Sequence, residues 1–145
     1  MTTPKNITRQ IQHLLTTRPG LNMSILLISI PAFNYIHEIL SDTETMSGYC
    51  VGDLTRDGKG VKTGKWLIIC TNQQLVFMHK GMIVALTHFE IPLGNLAAAK
   101  VKFGFLSNNI KIHDGNSTWE LYNVNKTDLT IFELALNNEL ATFKK

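Results

Sequence analysis

The sequence predicts an α+β protein in which seven short strands form an antiparallel sheet system, followed by one C-terminal helix that docks on it and preceded by a helical extension. Three observations predict it. Beyond Thr45, runs of β-branched and aromatic residues recur about every eight to twelve residues with turn chemistry between them. The chain then closes on a single stretch whose apolar residues fall three and four apart. Ahead of Thr45 the apolar spacing is helical instead. With 145 residues, 44% of them hydrophobic, the chain can bury the core of one compact domain.

Thr3-Pro4 reads as a helix start, because proline fixes a helical φ and needs no amide partner in the first turn. Ile7, Ile11, Leu14 and Leu15 line one face of that helix, and Arg18-Pro19-Gly20 ends it. The window from Leu21 to Ile30 is apolar throughout; a run without a period fits a strand or a helix equally, and it is too short to span a bilayer. From Pro31, the residues Phe33, Ile36, Ile39 and Leu40 return to helical spacing. The seven strands follow as MSGYCVGDL, KWLIICT, QLVFMHK, VALTHFEI, LAAAKVKF, NIKIHD and TWELYNV. In the fifth, Ala97, Ala99, Val101 and Phe103 occupy one face, and Lys100 and Lys102 the other, wet one. Asp114-Gly115 is expected to make a two-residue type I′ turn with positive φ at both positions. In the closing helix Asn125 is placed to cap and Asp128 meets the positive end of the dipole. Leu129, Phe132, Leu136, Leu140 and Phe143 make the stripe that must dock on the sheet.

Charge and composition exclude more than they assign. The balance of 14 Lys and Arg against 11 Asp and Glu leaves +3, too little for a surface built around nucleic acid. The polar N-terminal dozen lacks the basic region and apolar core of a secretory signal, so a cytoplasmic protein is expected. His13, His37, His79, His88 and His113 show no metal-ligand spacing. Cys50 and Cys70 lie equidistant from Gly60, which would let them face each other across the first hairpin as buried thiols. Trp66, Trp119 and Tyr122 alternate with apolar neighbours and lack interleaved arginine, which favours packing over base stacking. No triad or carboxylate pair is legible, so no enzyme and no cofactor are expected.

The segments GKWLIICTNQQLVFMHKG and IPLGNLAAAKV are similar to signature segments of bacterial PH-like domains of the YokE-like type. There an apolar strand ending in Thr-Asn turns into Leu-hydrophobic-Phe, and a proline-containing stretch leads into a small-residue strand. Gln74 and Ile91 depart from the pattern, which commonly has a basic residue and Phe there. The resemblance spans roughly residues 36–140 and implies a PH-like barrel of seven antiparallel strands capped by the C-terminal helix. Residues 1–35 then form an N-terminal extension and residues 36–145 the PH-like domain. It also implies a binding module rather than a catalyst.

The candidate site is the loop RDGKGVKTGKW between the first two strands, where positive charge is concentrated. It is not a Walker A loop: the glycine spacing is wrong, Trp66 stands where the magnesium-binding hydroxyl should be, and an apolar strand follows instead of a helix. In lipid-binding PH domains, however, this loop carries the cations that hold inositol phosphates. By that resemblance Arg56, Lys59, Lys62 and Lys65, with Lys80 at the end of the third strand, are the candidate ligand-binding residues, in an incomplete version of the lipid motif. Two functions stay open. The first is docking of a protein partner, or self-association, through a strand edge or the N-terminal helix, without nucleic acid. The second is contact of the basic loop with anionic lipid headgroups or phosphorylated ligands.

Overall fold

The computed structural model describes residues 2–17, 35–61, 64–79 and 86–143. Helix α1 (Pro4–Thr17) is followed by one turn of helix, α2 (Ile36–Ile39). The strands are β1 (Met46–Arg56), β2 (Lys59–Gly60), β3 (Trp66–Thr71), β4 (Gln74–His79), β5 (Thr87–Pro92), β6 (Ala98–Phe103), β7 (Asn108–His113) and β8 (Thr118–Tyr122). A 3₁₀ turn (Leu93–Asn95) precedes β6, and α3 (Lys126–Phe143) closes the chain. All seven expected strands are present, and two-residue β2 is an addition. Leu21–Ile30, whose helix-or-strand state the sequence leaves open, lies outside the described residues, as do Pro31 and Phe33 and the side chain of Leu15.

The strands form one antiparallel path, β5-β4-β3-β1-β8-β7-β6, that folds over on β1. The first part of β1 pairs with β3 as far as Gly52↔Trp66, and from Asp53↔Tyr122 onward it pairs with β8. A long, twisted strand shared between two layers is how a sheet turns a corner. Gly52 stands at that corner: a Cβ there would lie 2.5 Å from the Tyr122 carbonyl oxygen and 2.9 Å from Leu121 Cγ.

Two apolar layers result. Inside the fold, Cys50, Leu54, Trp66, Ile68, Leu75, Phe77, Ile110, Ile112, Trp119 and Leu121 meet Leu129, Phe132 and Leu136 of α3. Phe89 stacks on both Phe77 (4.4 Å) and Trp119 (4.2 Å), joining β4, β5 and β8 through one aromatic column. On the outer face of the first layer, Tyr49, Val51, Leu67, Ile69, Val76 and Met78 are covered by Ile7 and Leu14 of α1 and by Ile36 and Leu40. The N-terminal helix therefore packs on the barrel. It is pinned by the Thr2 amide donating to Leu40 O (3.0 Å) and the Met46 amide donating to Gln10 Oε1 (2.7 Å).

The caps follow the sequence. Thr3 Oγ1 accepts from the Asn6 amide (3.1 Å), and Asn125 Oδ1 accepts from the Asp128 amide (3.2 Å). Several local expectations need correction. The type I′ turn is Asp57-Gly58, with φ of 51° and 83°, and not Asp114-Gly115. In the latter loop the Asp114 amide donates to Ser117 O, the central pair is Gly115-Asn116, and only Gly115 has positive φ (92°). The cause is the Asp114 side chain, which accepts from the amides of Asn116 (2.9 Å) and Ser117 (2.7 Å) and so fixes a different turn. The small β1–β2 hairpin is centred on residues 57 and 58, while the β1–β3 ladder that carries the cysteines is centred on residue 59 rather than on Gly60. Cys50 and Cys70 are not opposite: Cys50 faces Ile68 and Cys70 faces Gly48, which makes the thiols diagonal neighbours on one buried face. In β6 even the apolar side is largely open, with only Val101 packed on the core, because the strand is at the sheet's end. Phe143, the last of the α3 stripe, is half exposed.

Candidate functional site

The basic loop begins where β1 runs past the corner. Arg56 is the cross-strand partner of Trp119; its guanidinium carbon lies 4.9 Å from that ring's centroid, and its Nε donates to Ser117 Oγ (3.2 Å). The turn that follows is docked on β8, since the Asp57 amide donates to Thr118 O (2.7 Å) and Asp57 Oδ1 accepts from the Thr118 amide (2.8 Å). Lys59, opposite Arg56 in the small hairpin, is exposed. Trp66 Nε1 donates to Val61 O (2.9 Å), tying the loop back to β3.

Lys65 turns to a different partner. Its Nζ lies 3.1 Å from Asp53 Oδ2, an oxygen that also accepts from Asn123 Nδ2 (2.9 Å). That amide hydrogen bond, and then the lysine, hold the Asp53 carboxyl below the ordinary range. Three of the five sequence-selected cations are thus described, and two of the three, Arg56 and Lys65, are engaged internally on separate partners. Lys62 and Lys80 lie outside the described residues.

A second basic cluster arises from strand register. Lys100 and Lys111 are direct cross-strand partners, Lys102 faces Asn109, and Lys111 faces Glu120. They line a depression of about 340 Å³ on the outer face of β6, β7 and β8. Glu120, the one carboxylate lining the depression, is the β8 partner of Lys111, and its Oε2 accepts from Asn109 Nδ2 (2.7 Å). Two lysines directly opposed across a ladder repel each other, a local cost that an anion placed between them would relieve. Sequence reading found Lys100 and Lys102 on a wet face but missed Lys111; the alternation of NIKIHD, set against AAKVKF, was the available signal.

The turn joining β6 to β7 was missed altogether. The Gly104 amide donates to Ser107 O (3.0 Å), leaving Phe105 and Leu106 as the central pair. They are 102% and 91% exposed, and Phe103 beside them is 44% exposed. Gly104 is required there, because a Cβ would lie 2.6 Å from Ser107 O.

The thiols are a poor site for chemistry. Burial raises Cys50 well above the ordinary thiol value, with Asp128 and Cys70 adding to it, and burial pushes Cys70 up to about 12. Among the described residues no group of three His, Cys, Asp or Glu is placed to hold a metal ion, and no helix is long and apolar enough to cross a membrane.

The sequence model of the bacterial PH domain family matches residues 40–138. The chain belongs to that family. Its fold is similar to a DUF1696-family protein with a pleckstrin-homology domain from Shewanella loihica PV-4 (TM-score 0.53, 13% identity, 78% of this chain and 96% of the other covered). It is similar also to the pleckstrin-homology domain from Shewanella amazonensis SB2B (TM-score 0.50, 15% identity, 79% and 98% covered). No curated protein matches the chain. In this bacterial PH domain, α1 and α2 add a cover over the outer face of the first layer. PH domains are in general binding modules, and at this level of identity the solved structures speak to fold alone.

Proposed function

We propose that this bacterial PH domain is a non-catalytic docking module that binds an extended segment of a partner protein along the free edge of β6. The observation that carries the reading is the end position of β6 in the sheet path, with Ala98, Ala99, Lys100 and Lys102 all exposed and β7 its one partner among the described strands. Because the Gly104 amide bonds to Ser107, strand alternation turns the amides of Ala99, Val101 and Phe103 away from β7. Such an edge accepts another strand through main-chain hydrogen bonds. Lys100, Lys102 and Lys111 beside it favour an acidic segment. Docking through the N-terminal helix has less support, since Ile7 and Leu14 are already buried.

The test is a selection of binders from a random peptide library, followed by amide chemical-shift mapping. Perturbations centred on Ala99, Val101 and Phe103, abolished by Ala99→Pro, are expected. Binders that map elsewhere, a second copy of the chain as the sole occupant of this edge, or no binders at all would overturn the reading.

A further inference from the structure

The β6–β7 turn breaks the rule that short hairpin connections are made of Gly, Asn, Asp or Pro. Neither Phe105 nor Leu106 has positive φ, so nothing in the backbone selects these residue types, and neither side chain packs on the fold. Two large apolar side chains held at the point of a rigid hairpin raise the free energy of the isolated protein in water, and such departures mark contact surfaces. The hairpin is braced. The Asn123 amide donates to Ser107 Oγ (3.1 Å), the Val124 amide to Asn108 O (3.2 Å) and Asn108 Nδ2 to Val124 O (3.2 Å), so the turn is fixed to the segment entering α3.

Charge surrounds the point on both sides. Lys102, then Lys100 and Lys111, lie on the outer face of the hairpin; Lys126, at the start of α3, places Nζ 6.0 Å from the Phe103 ring. Against these four lysines the same surface carries Glu120, which is engaged by Asn109. A convex apolar tip collared by lysine fits a flat, anionic and deformable surface better than a recessed protein pocket: the rings enter the acyl boundary while the long lysine side chains reach back to headgroup phosphates.

From this geometry we infer that the β6–β7 hairpin, with Phe103, Phe105 and Leu106 as the wedge and Lys100, Lys102, Lys111 and Lys126 as the collar, inserts peripherally into an anionic bilayer surface. This contact is separate from the loop between β1 and β3.

The experiment is sedimentation of the full chain with phosphatidylcholine vesicles, pure or containing about one-third phosphatidylglycerol. Wild type should bind the anionic vesicles and bind pure phosphatidylcholine far less. Phe105→Ser with Leu106→Ser should lower partitioning about 30-fold while leaving circular dichroism and Tm unchanged, because both side chains are in solvent. Each lysine-to-glutamine change in the collar should cost about fivefold on anionic vesicles. Phe105→Trp should retain binding, and its emission should shift to the blue and be quenched by brominated acyl chains. Ala99→Pro should bind vesicles like wild type, so a failure of the peptide-docking reading would leave this result standing, and the reverse. Equal sedimentation of wild type and the Phe105→Ser/Leu106→Ser variant, an unshifted Phe105→Trp emission, or loss of binding on Lys59→Gln and Lys65→Gln but not on the tip changes would overturn the proposal.

Discussion

At the scale of single residues, the polar side chains that matter most are those that fix turns. Asp114 accepts from two backbone amides and from Trp119 Nε1 (3.2 Å), and these bonds, with Arg56 close by, hold its carboxyl below the ordinary range. Asp114→Ala should destabilise the fold by about 1–2 kcal/mol at neutral pH, as the loss of a cap does. A carboxyl depressed in the folded state contributes stability that is present above its unfolded value near 4 and is lost as the pH falls through the folded value. The gap between wild type and Asp114→Ala in urea melts should therefore shrink as the pH drops below about 4; a gap that stays constant to pH 2 would show that the carboxylate charge contributes nothing. The buried thiols give a second measurement. With Cys50 and Cys70 both pushed upward by burial, a disulfide reagent at pH 8 should label neither in the native state and both in denaturant. Rapid labelling of the folded protein would mean that the core opens locally around β1 and β3.

At the scale of elements, the corner in β1 and the seating of α3 decide whether two layers can close. Adding a methyl at Gly52 forces it onto the Tyr122 carbonyl and Leu121, so Gly52→Ala should cost about 1–3 kcal/mol by overpacking. Phe132→Ala empties the centre of the α3 contact, where the ring is fully buried, and should cost about 3–5 kcal/mol. Thermal unfolding of the two variants checks both figures, and a neutral Gly52→Ala would remove the corner argument. The strands were legible because periodicity, β-branching and turn residues all report on backbone state. Register was not: which of two Asp-Gly pairs becomes the type I′ turn depends on whether Asp114 bonds its own loop and whether Asp57 bonds a distant strand. The same ignorance of register placed Cys50 opposite Cys70 and left Lys111 out of the cluster with Lys100. Phe105 and Leu106 were in plain view as large apolar residues between the runs LAAAKVKF and NIKIHD, where turn chemistry belongs, and the sequence reading passed over that connection.

At the scale of the molecule, the two layers differ in how they meet water, and the difference is written in residue order. β3 and β4 are buried along nearly their whole length, as continuous apolar runs, because α3 covers one face and α1 with α2 the other. β7 and β8 alternate because their outer face is open, and there the second lysine cluster collects. The continuous run WLIIC thus requires a cover on both sides, which fixes the role of the N-terminal helix as part of this fold. Replacing Ile7 and Leu14 together by Asp would place two charges against Tyr49, Leu67 and Met78 in the outer core. The charges should expel α1 at a cost of about 3 kcal/mol or more, lowering Tm by roughly 10 °C and exposing an apolar sheet face that binds a hydrophobic dye. The inner core and the β6–β7 tip do not touch that face, so far-ultraviolet dichroism and vesicle binding through Phe105 and Leu106 should survive at temperatures below the lowered Tm. A double variant that kept the wild-type Tm while its light-scattering mass fell would instead mean that Ile7 and Leu14 contact a second copy and that the outer layer is closed between chains.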